Sequence, residues 1–112
     1  MKLPNAQRAI VERAKIVEYL LNAAHPDNGG KAKFFTERGF AAERWEVLAQ
    51  ALRNMAVGVS VIQSVQSVHG SKYVLEGQME TPIGKQAAVR SVWIIDAGSQ
   101  LPRLVTAYPR KK

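Results

Sequence analysis

Near residue 56 the spacing of apolar residues changes from a helical period to a period of two, and one element cannot satisfy both periods. Before that point Ile10, Ala14, Val17 and Leu21 fall on one helical stripe, and Trp45, Leu48, Ala49, Leu52 and Met55 on another. Asn5 is available as an early cap for the first helix. Between the stripes, Lys31 to Arg38 predicts a short helix stopped by Gly39. After Ala56, Val57, Val59 and Val61 alternate with small residues. Tyr73, Leu75 and Met79 then repeat the pattern, as do Val89, Trp93 and Ile95, leaving Glu76, Gln78 and Arg90 among residues of the opposite faces. Turns are expected at His69-Gly70-Ser71, Thr81-Pro82-Ile83-Gly84 and Ala97-Gly98-Ser99, the second with Pro and Gly placed for type I.

The expectation is an α+β domain spanning residues 1–112. About three N-terminal helices (residues 1–56) pack on one face of a C-terminal four-stranded antiparallel meander (residues 57–112). A chain of 112 residues can bury a core without metal or disulfide staples. It has no cysteine, which excludes thiolate nucleophiles, zinc ribbons and disulfide frameworks and is compatible with a reducing compartment.

The net charge of +7 favours an anionic partner, because Lys and Arg release counterions from phosphates. Both halves contribute: nine basic against six acidic residues through Ala56, then seven against three. Lys111 and Lys112 fit a frayed tail. The N-terminus lacks a signal-peptide core, and no apolar run approaches the ~20 residues of a membrane span. The expected location is cytoplasmic, with export only as part of a larger protein.

Two constellations carry candidate chemistry. One is the helix-free face of the sheet, where Arg90, Thr106 and Tyr108 would form a binding floor if the register turns them outward. The other is the loop from His25 through Gly29-Gly30 to Lys31 and Lys33, which opens a helix with two lysines. It lacks the spaced glycines and the Ser or Thr of a P-loop. His25 and His69 have no neighbouring carboxylates at metal-ligand spacing, so neither a metal nor another cofactor is expected. Exposed outer strands of the meander offer a route to a homodimer.

Taken together, Leu3-Pro4-Asn5-Ala6, Tyr19-Leu20-Leu21-Asn22, His25-Pro26, Gly30-Lys31-Ala32-Lys33-Phe34-Phe35, Gly39-Phe40, Trp45, His69-Gly70, Tyr73, Gly77, Pro82, Arg90, Trp93 and Thr106-Ala107-Tyr108-Pro109 resemble a family of small uncharacterised bacterial domains. These occur alone or at the ends of larger proteins in toxin and immunity neighbourhoods. The helices-then-four-strands order and the closing strand are also similar to the fold of the barnase, EndoU, colicin and RelE toxins, which are metal-independent RNases. That similarity implies a base for the 2′-hydroxyl, an acid for the 5′-oxygen and cations on the phosphate. His25 or His69 would be acid or base, Lys31, Lys33 and Arg90 would hold the phosphate, and Thr106 and Tyr108 would orient it or assist proton transfer. The glutamate-histidine pair of barnase is not evident, although Glu76 is a candidate to approach a histidine. His25-Pro26-Asp27 separately resembles the signature of J-domain cochaperones, which lies between two antiparallel helices.

Three functions therefore compete. A ribonuclease toxin requires a histidine near Arg90 and Tyr108. A non-catalytic module binding nucleic acid, or an acidic antitoxin or immunity protein, requires a basic groove without one. A cochaperone requires Hsp70 stimulation that depends on His25.

Overall fold

The computed structural model describes residues 1–110; the tail expected at Lys111 and Lys112 lies outside them. The chain begins with a 3-10 turn, Ala6–Arg8, followed by a single helical turn, α1 (Arg13–Lys15), that widens into a π-helical turn over Ile16–Leu20. Next come α2 (Lys31–Glu37), a second 3-10 turn (Ala42–Arg44) and the long helix α3 (Trp45–Gly58). Four strands follow: β1 (Val61–Ser67), β2 (Gly70–Glu80), β3 (Gln86–Asp96) and β4 (Arg103–Pro109). They pair antiparallel in the order β1-β2-β3-β4, so the expected helices-then-meander architecture is the one observed.

The stripe expected for α3 is the one it buries: Leu48, Ala49, Leu52 and Met55 face the sheet. Gly39 follows α2 with φ of 94°, a left-handed conformation that lets the chain turn away without Cβ strain. The first stripe is corrected. Ile10 is extended, half exposed and bridged to Arg103, and the buried residues of this region are Val11, Ile16 and Leu20. Two causes combine: Ile10 is held extended against the β4 edge, so the helix begins only at Arg13, and the π turn, in which Leu21 N–H reaches back to Ile16 C=O at 2.8 Å, shifts the phase beyond it. Asn5 sits at φ 56° without a side-chain cap, and its Nδ2 donates to Gln100 O at 2.7 Å.

The N-terminal segment instead spans the sheet from one edge to the other. Val61 N–H donates to Met1 O at 2.7 Å at the β1 edge. At the β4 edge Ile10 N–H donates to Pro102 O (2.7 Å) and Leu104 N–H to Ile10 O (2.9 Å).

Sheet register decides which face each candidate residue occupies. Tyr73, Leu75, Met79, Val89, Trp93 and Leu104 point at the helices and are buried. The Trp93 indole N–H donates to Ser91 Oγ at 2.9 Å, so the polar atoms of two fully buried residues satisfy each other. In β4 the pairing jumps from Trp93↔Leu104 to Val92↔Thr106, leaving Val105 as an extra residue. Leu104 and Ala107 are consequently both buried although three positions apart. Thr106 and Tyr108, which strict alternation from Leu104 would drive into the core, emerge on the face of Arg90.

Candidate functional site

The bulge brings Thr106 to the outer edge of the sheet, beside the π turn that carries Tyr19. The two hydroxyl groups meet at 3.0 Å. The His25 ring packs edge-on to Tyr19, with centroids 5.0 Å apart. Two ammonium groups flank the Tyr19 ring, Lys15 Nζ at 5.5 Å and Lys31 Nζ at 5.4 Å from its centroid. Lys15, Tyr19, His25, Asp27, Val105 and Thr106 line an open cleft of about 350 Å³.

A buried asparagine holds this loop in place. Asn28 Nδ2 donates to Tyr19 O (2.6 Å) and Leu20 O (3.3 Å), and its Oδ1 accepts from Ala32 N–H at 2.8 Å. The end of the π turn is thereby tied to the start of α2. Lys31 Nζ donates to Asp27 O and Asn28 O, which fixes the ammonium near Tyr19. The Ala32 amide, near the start of α2, is occupied by Asn28 and is not open to an anion.

His25 Nδ1 accepts from Asp27 N–H at 3.0 Å, which places the proton of a neutral imidazole on Nε2. The ring therefore offers a donor to a ligand at Nε2 and has no free lone pair there.

Of the residues expected from sequence, His25 and Thr106 line the cleft, and Lys31 lies beside it with its ammonium over the Tyr19 ring. Lys33 is exposed on α2 but does not line the cleft. His69 lies in the β1–β2 turn, where its carbonyl accepts from Ala97 N–H at 2.9 Å, two strand spacings or about 10 Å from β4, and it does not line the cleft. Arg90 and Tyr108 stand opposite each other across β3 and β4, two positions along the same face from Thr106. Arg90 Nε donates to Glu76 Oε1 at 2.6 Å, and Arg110 Nε lies 3.2 Å from Glu76 Oε2. Hydrogen bonding to Glu76 first, and then to Tyr108, holds the Arg90 guanidinium above the usual arginine range. Glu76 thus engages two arginines and is not the partner of a histidine.

Sequence inspection missed Tyr19, Lys15 and Asn28 as members of the site. Lys15 and Tyr19 are four residues apart, the spacing that stacks side chains on a helical surface, and this was the one available signal. His25-Pro26-Asp27 lies between a five-residue π turn and a seven-residue helix, not between the two antiparallel helices that the J-domain resemblance implies. A second groove, about 410 Å³, is lined by Phe40, Val47, Ala51 and Pro82, and its one ionisable residue is Glu80. Among the described residues no three His, Asp or Glu side chains cluster to hold a metal ion, and no helix is long and apolar enough to cross a membrane.

The family described as Domain of unknown function (DUF6883) matches residues 2–111. The chain belongs to this family. No curated protein matches its sequence. The fold of this DUF6883 domain is similar to a chain of the contact-dependent growth inhibition toxin–immunity protein complex from Klebsiella pneumoniae 342. The TM-score is 0.75 at 18% identity, covering 96% of this chain and 97% of that one. At this identity the likeness establishes a shared fold.

Proposed function

We propose that this DUF6883 domain is toxin-like and cleaves RNA phosphodiesters without a metal ion, in the cleft between the π turn and β4. The observation that carries the proposal is the Tyr19–Thr106 hydroxyl pair at 3.0 Å, with His25 against Tyr19 and two lysines flanking its ring. Transfer to the 2′-oxygen forms the O2′–P bond and breaks the P–O5′ bond, leaving a 2′,3′-cyclic phosphate and a 5′-hydroxyl. Lys15 and Lys31 oppose the phosphate charge, and His25 donates from Nε2 to a phosphate oxygen. Tyr19, bonded to Thr106, takes the proton of the 2′-hydroxyl as it delivers its own to the departing 5′-oxygen, so the proton lost at O2′ is the one gained at O5′.

The net charge of +7 supports an RNA substrate and, equally, an acidic immunity protein as the inhibitor that covers the cleft. The fold likeness to a chain of a toxin–immunity complex favours the same pairing.

The test is incubation of purified protein with total RNA and a tRNA pool in EDTA, beside Tyr19→Phe, His25→Ala and Thr106→Val. Cleavage that survives chelation, yields cyclic-phosphate ends and fails in Tyr19→Phe supports the assignment. Folded protein that leaves both RNA pools intact while an RNA filter assay still shows binding would replace it with the non-catalytic module.

A further inference from the structure

Strand β1 is the outer strand of the sheet on the side away from the cleft, and from Ile62 to Ser67 every residue is exposed. Only its start is covered, where Lys2 bridges Ser60 and Met1 O accepts from Val61 N–H. The usual protections of a free edge are lacking beyond that point. There is no charged residue and no proline from Ile62 to Val68, and the single irregularity is the bulge between Val61 and Gln63. Ile62, Val65 and Val68 expose 51%, 48% and 87% of their surface, against a chain whose other aliphatic side chains are mostly buried.

The polarity of this strand, taken with the turn residue Val68 that follows it, is palindromic. Ile62-Gln63-Ser64-Val65-Gln66-Ser67-Val68 reads apolar, polar, polar, apolar, polar, polar, apolar in either direction. An antiparallel two-fold pairing requires this, because each residue then meets its mirror position. Centred on Val65, the register places Val65 against Val65, Ser64 against Gln66 and Gln63 against Ser67, and brings Ile62 at the bulge toward Val68 in the turn. No charge meets a like charge, despite a net charge of +7 on each chain.

The backbone agrees with that register. Ser67 and Gly70 flank a two-residue turn, so their amide and carbonyl groups face each other across the hairpin. Alternation back along β1 turns the backbone groups of Val65 inward and those of Gln66 and Ser64 outward. Ser64 and Gln66 are the residues that the register matches as a hydrogen-bonded pair.

From these observations we propose that β1 pairs antiparallel with β1 of a second copy of this chain about a two-fold axis at Val65. The two sheets become one continuous eight-stranded sheet, with the two clefts at its far edges. The proposal rests on the sheet edge alone and is independent of the ribonuclease assignment.

Sedimentation equilibrium of the full chain tests it. The expected mass is twice the 12.4 kDa of one chain, falling on dilution. Val65→Glu sets two carboxylates across the axis while placing each opposite its own Lys72, so folding is maintained and dimer affinity falls about tenfold or more. Because the chain has no cysteine, Val65→Cys introduces a unique thiol. At a non-hydrogen-bonded pair the two Cα atoms lie about 4.5 Å apart, within disulfide reach. Rapid oxidation to a covalent dimer is expected, with none for Ser99→Cys in the β3–β4 loop. A chain that remains monomeric at about 1 mM would leave the edge to a foreign strand and overturn the proposal. A dimer indifferent to Val65→Glu, or unable to cross-link through Val65→Cys, would overturn it equally.

Discussion

The hydroxyl of Tyr19 lies 3.0 Å from that of Thr106, a residue 87 positions later in the chain. One hydrogen bond thus fastens the π turn to the outer strand and closes the back of the cleft. Tyr19→Phe retains the ring between the two lysines and removes only this bond. Urea denaturation should show a loss of about 1 kcal/mol. RNA cleavage should fall about a hundredfold or more. A cleavage rate unchanged beside the stability loss would make the hydroxyl structural only.

Asn28 is 3% exposed and uses both ends of its amide. Asn28→Asp replaces a donor aimed at two carbonyls with an acceptor, and should cost about 3 kcal/mol or more. Asn28→Ala should cost less, about 2 kcal/mol, since the carbonyls then lose a partner without facing a charge. Thermal denaturation of both variants checks the order, which a loop without a structural role would not produce.

Glu76 neutralises part of the charge that Arg90 and Arg110 bring to the helix-free face. Glu76→Gln should tighten binding of a short RNA at low salt, and the gain should disappear as salt rises. Fluorescence anisotropy over a salt series measures this. An unchanged affinity would place the RNA path away from this face.

Arg103 Nε donates to Asp96 Oδ2 at 2.7 Å, and this bond holds the Asp96 carboxyl below the usual carboxylate range. A depressed folded pKa stabilises the protein above the unfolded value of about 3.9 and is lost as pH falls through the folded value. Wild-type protein should therefore exceed Asp96→Asn in stability at pH 7 by a small margin, because the pair is exposed. The two should converge in strong acid. A margin that persists there would trace to something other than the ionised carboxylate.

What could be read in advance follows from which signals are local. The α3 stripe, the turn at Thr81-Pro82-Ile83-Gly84 and the burial of Trp93 rest on period and turn chemistry within a few residues, and all three are found in the fold. The first stripe misplaced the buried residues because Ile10 is drawn out of the helix by a bridge to distant Arg103, and because a π turn changes phase without a marker in residue type. His25, Lys31 and Thr106 were legible as candidates by their chemistry. Tyr19 figured only among the residues of the family resemblance and not as a site residue, since its contact reaches across most of the chain. Arg90 was expected to hold phosphate, but its engagement by Glu76 depends on the β2–β3 register and not on sequence proximity.

Val105 sets the phase of everything after it in β4. Its neighbours on either side, Leu104 and Thr106, pair with consecutive residues of β3, so the strand carries one residue more than its partner requires. Flattening the bulge with Val105 retained would send Thr106 and Tyr108 inward and Ala107 outward, whereas deleting Val105 would straighten the strand and leave Thr106 and Tyr108 on their present face. The loop from Ala97 to Pro102 can change length among relatives without touching this phase, whereas a relative without a residue at 105 would pair β3 and β4 without the irregularity. Such a relative keeps the Thr106 hydroxyl on the cleft side and lacks only the Val105 side chain that lines it.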